Sequence, residues 1–211
     1  METQPRTLPW LTIWIHPRRT IRGIVDSDPE YQAVILAMLV GFAYALNQAS
    51  ARNLGDTLSL PAILTICTVA GPIGGIILLY VVGALLRWTG SWLGGQASLV
   101  EVCAAIAWSS VPSVCILILW IPKLALFGKD LFTSTMPRIS ANPFLALIFL
   151  GFAIVEVSIA VWAFVVLLKC LGEVHRFSAW KALATLFLSG LIVGVPIFGL
   201  LVFLSGLTIT P

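Results

Sequence analysis

TLSLPAILTICTVAGPIGGIILLYVVGALL, residues 57–86, contains no Asp, Glu, Lys or Arg. A helix needs about 20 largely apolar residues to cross a hydrocarbon core about 30 Å thick. Glu156 is the one charged residue in four further windows of similar length, which are 31–51, 102–122, 139–168 and 182–211. The pattern predicts a polytopic membrane protein with five spans.

The spans are predicted to be helices. A hydrophobic share of 59% exceeds the roughly 45–50% typical of soluble domains. Only helices and closed barrels satisfy every backbone group in lipid, and barrel strands alternate apolar with polar residues. Residues 76–82 do not alternate. We therefore expect an all-α membrane protein with one domain over 1–211, residues 1–28 at the membrane surface, and spans at about 31–50, 60–87, 101–121, 143–169 and 181–207.

Basic residues favour one side of these spans. The N-terminal segment and the predicted 2–3 and 4–5 turns hold eight of the twelve Lys and Arg. The other side holds the remaining four, which are Arg52, Lys123, Lys129 and Arg138. Cytoplasmic loops carry the excess of Lys and Arg in membrane proteins. The distribution predicts a cytoplasmic N-terminus and an external C-terminus.

The segment before the first span has the composition of a membrane-surface helix. It carries Trp10 and Trp14, followed by Arg18, Arg19 and Arg22. Tryptophan favours the headgroup zone, and arginine favours anionic lipid phosphates. We expect these five residues to face lipid in an amphipathic interfacial segment. A nucleic-acid patch is the poorer interpretation, because the segment adjoins a span.

The last four spans form two similar hairpins. Shifts of 82 and then 80 residues align Pro61 with Pro143, Arg87 with Lys169, Gly90 with Gly172, and Ser98 with Ser178. Each hairpin reads as a proline start, an apolar span, a basic residue, a glycine, a capping serine and a second span. Both run in the same direction, which predicts a parallel repeat about the membrane normal. Chance similarity between apolar segments is the alternative.

The turns and the N-terminal segment also resemble a known family. The stretches that carry the resemblance are 88–98 (WTGSWLGGQAS), 107–112 (AWSSVP), Trp162 with 171–178 (LGEVHRFS), 181–183 (KAL) and 17–22 (PRRTIR). They resemble the Yip family, five-span proteins named for interaction with Ypt/Rab GTPases, and 17–22 is similar to its prokaryotic members. The resemblance implies a Yip-like membrane domain and, from those members, the cytoplasmic (inner) membrane of a prokaryote.

One departure limits what the resemblance implies. Eukaryotic Yip members have a long cytosolic N-terminal region tied to GTPase binding, whereas this chain has only about 30 residues before its first span. The resemblance therefore implies fold and topology more strongly than it implies GTPase binding.

The sequence carries no pattern typical of an enzyme. Its two histidines, His16 and His175, are not at metal-ligand spacing, and neither a nucleophile elbow nor a phosphate-binding glycine loop occurs. We expect no catalytic residue, metal, cofactor or small-molecule substrate. His175 is expected to be solvated at the cytoplasmic surface.

Glu156 is the exception, because a carboxylate inside the membrane is energetically costly. Its depth suggests a mid-membrane polar cluster with Ser109, Ser110 and Ser189, near the glycine–proline breaks expected at 71–75 and 190–196. A protonated interhelical clamp, an ion or proton pathway, and a docking point are the three interpretations.

We expect a non-enzymatic interaction or organising protein whose cytoplasmic turns dock another membrane protein or a second copy. The turn residues that we assign to this role are Gly94, Gly95, Ser98, Glu101, Gly172, Glu173, His175 and Ser178. The alternative is a small transporter or channel subunit that works through Glu156.

Overall fold

The structure is a computed structural model that describes residues 9–30 and 32–208, with side chains up to residue 199. This part of the chain is helical and contains no strand. The helices are α1 (Pro9–Ile15), α2 (Pro17–Ser27), α3 (Ala33–Ala51), α4 (Leu60–Trp92), α5 (Leu99–Ser109), α6 (Val111–Val114), α7 (Ile116–Phe127), α8 (Pro137–Ala141), α9 (Pro143–Val174) and α10 (Ala179–Thr208). Short 3-10 turns lie at Leu54–Asp56 and Gly128–Phe132.

Five helical segments of the described chain are long and apolar enough to cross a membrane. They are Ala33–Ala51, Leu60–Trp92, Val111–Phe132, Pro143–Val174 and Ala179–Gly199. The prediction of an all-α polytopic membrane protein with five spans is confirmed. α4 and α9 continue past the basic residues where we expected their spans to end, since Arg87 and Lys169 lie inside these helices.

The predicted span 101–121 is wrong as one continuous helix. α5 ends at Ser109, and the membrane-crossing segment begins only at Val111. Pro112 has no N–H to continue the helical bonds of α5. The hydroxyls of Ser109 and Ser110 also donate to carbonyls three residues back, at 2.9 Å and 2.5 Å. Together these features separate α5 as a short helix.

α3 and α4 pack backbone against backbone. A Cβ on Gly41 would lie 2.2 Å from the carbonyl oxygen of Gly71, and one on Gly75 would lie 2.1 Å from that of Ala37. Small residues allow this approach between membrane helices, where close packing replaces the hydrophobic effect. The expected break at 71–75 is therefore wrong. α4 is continuous through Pro72, and its glycines form a contact surface.

The glycines of α10 behave differently. The expected break at 190–196 is also wrong, because α10 is continuous with Pro196 inside it. Gly190 and Gly194 are exposed, and no described atom lies within 4 Å of a Cβ placed on either. Their GxxxG spacing therefore serves no helix contact within the described chain.

Two buried clusters hold the helices together, one toward each end of the spans. The first surrounds Trp108 and joins α2, α5 and the end of α9 through Ile21 and Leu171. The second surrounds Phe127 and Phe132, beside the loop that joins α7 to α9. In that loop the buried Asp130 carboxylate accepts the amide N–H of Arg138 at 2.6 Å.

The hairpins resemble each other in their first helices and differ in their second. α4 and α9 have 33 and 32 residues, and each has proline in its first turn. α10 is a continuous helix, whereas its counterpart α5 stops after 11 residues. A common origin of the two hairpins stays a prediction from the sequence.

Candidate functional site

The two turns that follow α4 and α9 have the same backbone design. Gly95 N–H donates to the carbonyl of Gly90, and Phe177 N–H donates to that of Gly172, each at 2.9 Å. The residues before them, Gly94 and Arg176, both have left-handed backbones, with φ of 85° and 60°. This six-to-one bond with a left-handed residue is the Schellman helix ending. The turns match residue for residue at the 82-residue shift found in the sequence.

Serine caps start the helices after these turns. Ser98 Oγ accepts the amide of Glu101 at 3.3 Å, and the Glu101 carboxylate accepts the Ser98 amide at 2.6 Å, which completes a capping box. In the second turn Ser178 Oγ accepts the amide of Lys181 at 3.4 Å. We call α2, residues 88–98 and residues 172–181 together the turn face.

His175 joins the two turns at the centre of the turn face. The residue is 1% exposed, and its ring lies against Gly90 and Gly95 and stacks on Phe177 with ring centroids 5.0 Å apart. A Cβ on Gly95 would lie 2.3 Å from Nδ1, so only glycine leaves room for the imidazole. The expectation of a solvated His175 is therefore wrong. The second turn inserts its histidine into a glycine-lined socket of the first.

The His175 socket favours the neutral imidazole. Within the described chain neither ring nitrogen has a hydrogen-bond partner. Burial lowers the pKa of His175, and the nearby negative charge of Glu101 partly opposes that shift. Desolvation disfavours the charged form of a buried histidine in this way.

Acidification should therefore destabilise the protein through His175. The folded pKa lies below the ordinary value of 6.5, so the unfolded chain binds more protons as the pH falls through that value. The contribution is present above about pH 6.5 and is lost below it. We expect the thermal midpoint in mild detergent to fall between about pH 7.5 and 5.5, by about 2–4 °C per kcal/mol lost.

Two variants separate His175 from other titrating groups. His175→Phe keeps a flat ring but cannot ionise, so its midpoint should change less over this pH range. His16→Phe, at the exposed second histidine, should keep the wild-type dependence. Equal pH dependence in wild type and His175→Phe would contradict the assignment.

Two further contacts fasten the turn face. Arg22 Nη2 lies 2.9 Å from Glu173 Oε1 and donates to the Glu173 carbonyl at 2.8 Å. Lys181 Nζ donates to the carbonyl of Leu93 across the turns, at 3.2 Å. Arg22 also brings positive charge to the C-terminus of α9, where the helix dipole favours it. The expectation that Arg22 faces lipid is wrong, because its guanidinium is held by Glu173.

The N-terminal tryptophans also contact protein. Trp10 Nε1 donates to Gln32 Oε1 at 3.0 Å, and its ring meets Trp108 edge-on with centroids 5.9 Å apart. Trp14 is half-buried and packs against the same core. Arg18 and Arg19 are exposed, as expected for the polar side of a surface helix. Of the five predicted lipid-facing residues, only these two arginines are fully turned outward.

The turn face itself has three tryptophans that face outward. Trp88, Trp92 and Trp180 are 53%, 55% and 79% exposed. The first two meet edge-on, with ring centroids 4.8 Å apart. Sequence reasoning used two of them only as part of a motif. Their i, i+4 spacing on α4 was the signal that could have placed both on one face.

Glu156 pairs with a residue that sequence reasoning placed outside the membrane. Its Oε1 lies 2.7 Å from Lys123 Nζ, and the two side chains are 23% and 8% exposed. The ammonium also lies 4.7 Å from the centroid of the Trp120 ring. Lys123 belongs to the membrane-crossing segment Val111–Phe132, so the ion pair joins two spans.

The predicted cluster of Glu156 with three serines does not form. Ser109 and Ser110 bond carbonyls of α5, as described above. Ser189 Oγ lies 2.8 Å from Thr89 Oγ1 and so joins α10 to α4. Lys123 and Thr89 are the partners that sequence reasoning missed. The position of Lys123, directly after the charge-free window 102–122, was the signal that could have identified it as a partner for Glu156.

No metal centre is apparent in residues 9–30 and 32–208. No three His, Cys, Asp or Glu side chains among them are grouped closely enough to hold a metal ion.

The chain matches a known protein family. A family model described as the Yip1 domain matches residues 11–202. No curated protein and no solved structure matches the chain. The matched range includes all of α2 through α9 and most of α10, so it contains the whole turn face.

Proposed function

Since the chain belongs to the Yip1 domain family and is a multi-pass membrane protein, we propose that it docks and organises partners in the membrane without catalysing a reaction. In this proposal the turn face is the docking surface. The partner is another membrane protein or a second copy of the chain. The surplus of Lys and Arg on this side supports a cytoplasmic turn face and an external C-terminus. The inner membrane of a prokaryote is proposed as the location on the sequence resemblance alone.

The proposal rests on one observation: α2 and the two turns, which are separate segments of the chain, are bonded to one another and form one surface. The Arg22–Glu173 ion pair, the Lys181–Leu93 bond and the His175 socket join α2 and the two turns. A surface that is already ordered loses less conformational entropy when a partner binds. Exposed tryptophan is among the residues most enriched at the energetic centres of interfaces. An ordered surface with three exposed tryptophans therefore supports docking.

The ion-pathway alternative has lost its main support. It rested on Glu156 as a charge without a partner, and Lys123 supplies its counter-charge at 2.7 Å. The arrangement supports an interhelical clamp between α7 and α9. The clamp differs from the protonated one considered from the sequence, because it is an ion pair.

Purification from the membrane in a gentle detergent tests the proposal. We expect the wild-type chain to be recovered with a stoichiometric second subunit, either another copy or one defined membrane protein. Trp88→Ala/Trp92→Ala should reduce this recovery at least tenfold, because interface tryptophans contribute about 2 kcal/mol or more. Quantitative mass spectrometry of the complex measures both results.

Trp162→Ala is the matched control. This tryptophan is 42% exposed on α9, outside the turn face, and its removal should leave recovery unchanged. Recovery of the wild-type chain only as a monomer would overturn the proposal. If the control and the double variant lost equal amounts of the second subunit, the docking surface would not be the turn face.

A further inference from the structure

We propose that the groove where α1 and α2 meet α9 binds the phosphate of an anionic phospholipid headgroup. The groove has a volume of about 290 Å³ and opens to the surface. Its lining consists of Ile15, His16, Pro17, Arg18, Arg19 and Lys169. Three of these six residues are basic, and one of them, Lys169, comes from a helix far away in sequence. The fold therefore assembles a basic site that neither segment has alone.

The cations of the groove have no internal counter-charge. Among the described residues, Arg18, Arg19 and Lys169 take part in neither of the two ion pairs. Lys169 lies one turn before Glu173 on α9, a spacing that permits an ion pair. Glu173 instead holds Arg22 through both its carboxylate and its carbonyl. The Arg22 contact thus leaves Lys169 free for an external anion.

The start of α2 adds a second attraction for an anion. α2 has 11 residues, its first is Pro17, and no side chain caps its amides. The N-terminus of a helix carries partial positive charge and exposed N–H groups, which favour phosphate. Arg18 and Arg19 follow within the same first turn. Arginine matches phosphate with paired, charge-assisted hydrogen bonds.

The apolar border of the groove favours a lipid as the source of the phosphate. Ile15 lines the groove and is 73% exposed, and Leu11, one turn before it on α1, is 67% exposed. Lys169 lies near the end of α9, a membrane-crossing helix. A ligand here meets cations beside exposed apolar side chains, which is the chemistry of a phospholipid at the interface. The inference rests on the turn face lying at a membrane surface, and does not require it to dock a protein.

Native mass spectrometry of the full chain with defined lipids tests the site. The probes are phosphatidylglycerol and phosphatidylcholine, each added to the protein in mild detergent. Each Lys or Arg near an anionic surface contributes about 1 kcal/mol, or about fivefold in affinity. We expect Arg18→Gln/Lys169→Gln to weaken phosphatidylglycerol binding about 25-fold and to leave phosphatidylcholine binding unchanged.

Arg87→Gln/Arg176→Gln is the matched control. It removes two exposed cations from the same end of the molecule, one of them at the repeat position that corresponds to Lys169. A specific groove predicts little change for this variant. Equal weakening in both double variants would mean diffuse attraction and would overturn the proposal, as would no weakening in either.

Two further measurements keep the outcome clear. Lys169→Gln alone, expected to weaken binding about fivefold, replaces the double variant if thermal unfolding shows that the latter is not folded. Inorganic phosphate at the same concentration should displace little lipid. If inorganic phosphate displaced the bound lipid as effectively as added phosphatidylglycerol does, the site would bind a free anion instead of a lipid. The docking test uses Trp88 and Trp92, so either proposal can fail without the other.

Discussion

Glu156→Leu should lower the free energy of unfolding by about 3–5 kcal/mol, because it leaves the Lys123 ammonium buried without its counter-charge. Lys123 is only 8% exposed, and Glu156 is its hydrogen-bonded carboxylate partner. An ammonium that has lost its carboxylate must either stay buried and unpaired or move toward water, and moving it disturbs the packing of α7 on α9. Lys123→Met should have a similar cost, since it leaves the carboxylate alone.

The double variant Lys123→Met/Glu156→Leu is the control that isolates the ion pair. Replacing both partners by apolar residues of similar size removes the charges together, and such replacements are often neutral or stabilising. Unfolding in mild detergent of the wild type, both single variants and the double variant completes a double-mutant cycle. Additive losses, with the double variant the least stable, would show that the pair does not clamp the spans.

Gly75→Ala should destabilise the α3–α4 contact by about 1–3 kcal/mol, the usual cost of overpacking. The added methyl would lie 2.1 Å from the Ala37 carbonyl oxygen and 2.8 Å from the Gly41 Cα, both backbone atoms. Backbone cannot move aside as a side chain can, so the helices must separate along this surface. Gly75→Val should cost more than Gly75→Ala.

Gly74→Ala gives the matched control one residue away on the same helix. Gly74 faces open space, with no described atom within 4 Å of a Cβ placed on it. Alanine has the higher helix propensity, so this variant should be neutral or slightly stabilising. The thermal midpoint in one detergent compares the two directly. Equal midpoints for Gly74→Ala and Gly75→Ala would contradict the close packing.

The fold class was predictable because hydropathy and length decide whether a segment can cross a membrane. The serine caps at Ser98 and Ser178 were also predictable, because a helix start depends on a few neighbouring residues. The interruption at Ser110 was missed because hydropathy does not change there. It depends on Pro112 and on local hydroxyl bonds that an apolar window does not reveal.

The site was less predictable because its contacts join distant segments. Glu156 was recognisable as a residue that needed a partner, but the choice of Lys123 depends on how α7 rotates against α9. His175 looked like a solvated turn residue until Gly90 and Gly95 were brought against it. From the sequence, Gly90 was noted as a repeat position and Gly95 as a turn residue. Their role as the walls of a socket appears only when the two hairpins lie side by side.

The contact between Arg22 and Glu173 also fixes an order of events during synthesis. The two residues are 151 positions apart, and chains grow at about 5–20 residues per second. α2 therefore emerges from the ribosome on the order of ten seconds before its carboxylate partner exists. During that interval its arginine is free for the membrane surface. The contact forms only after nearly all of the fourth span has been made, so Glu173 cannot hold α2 in place until late in synthesis.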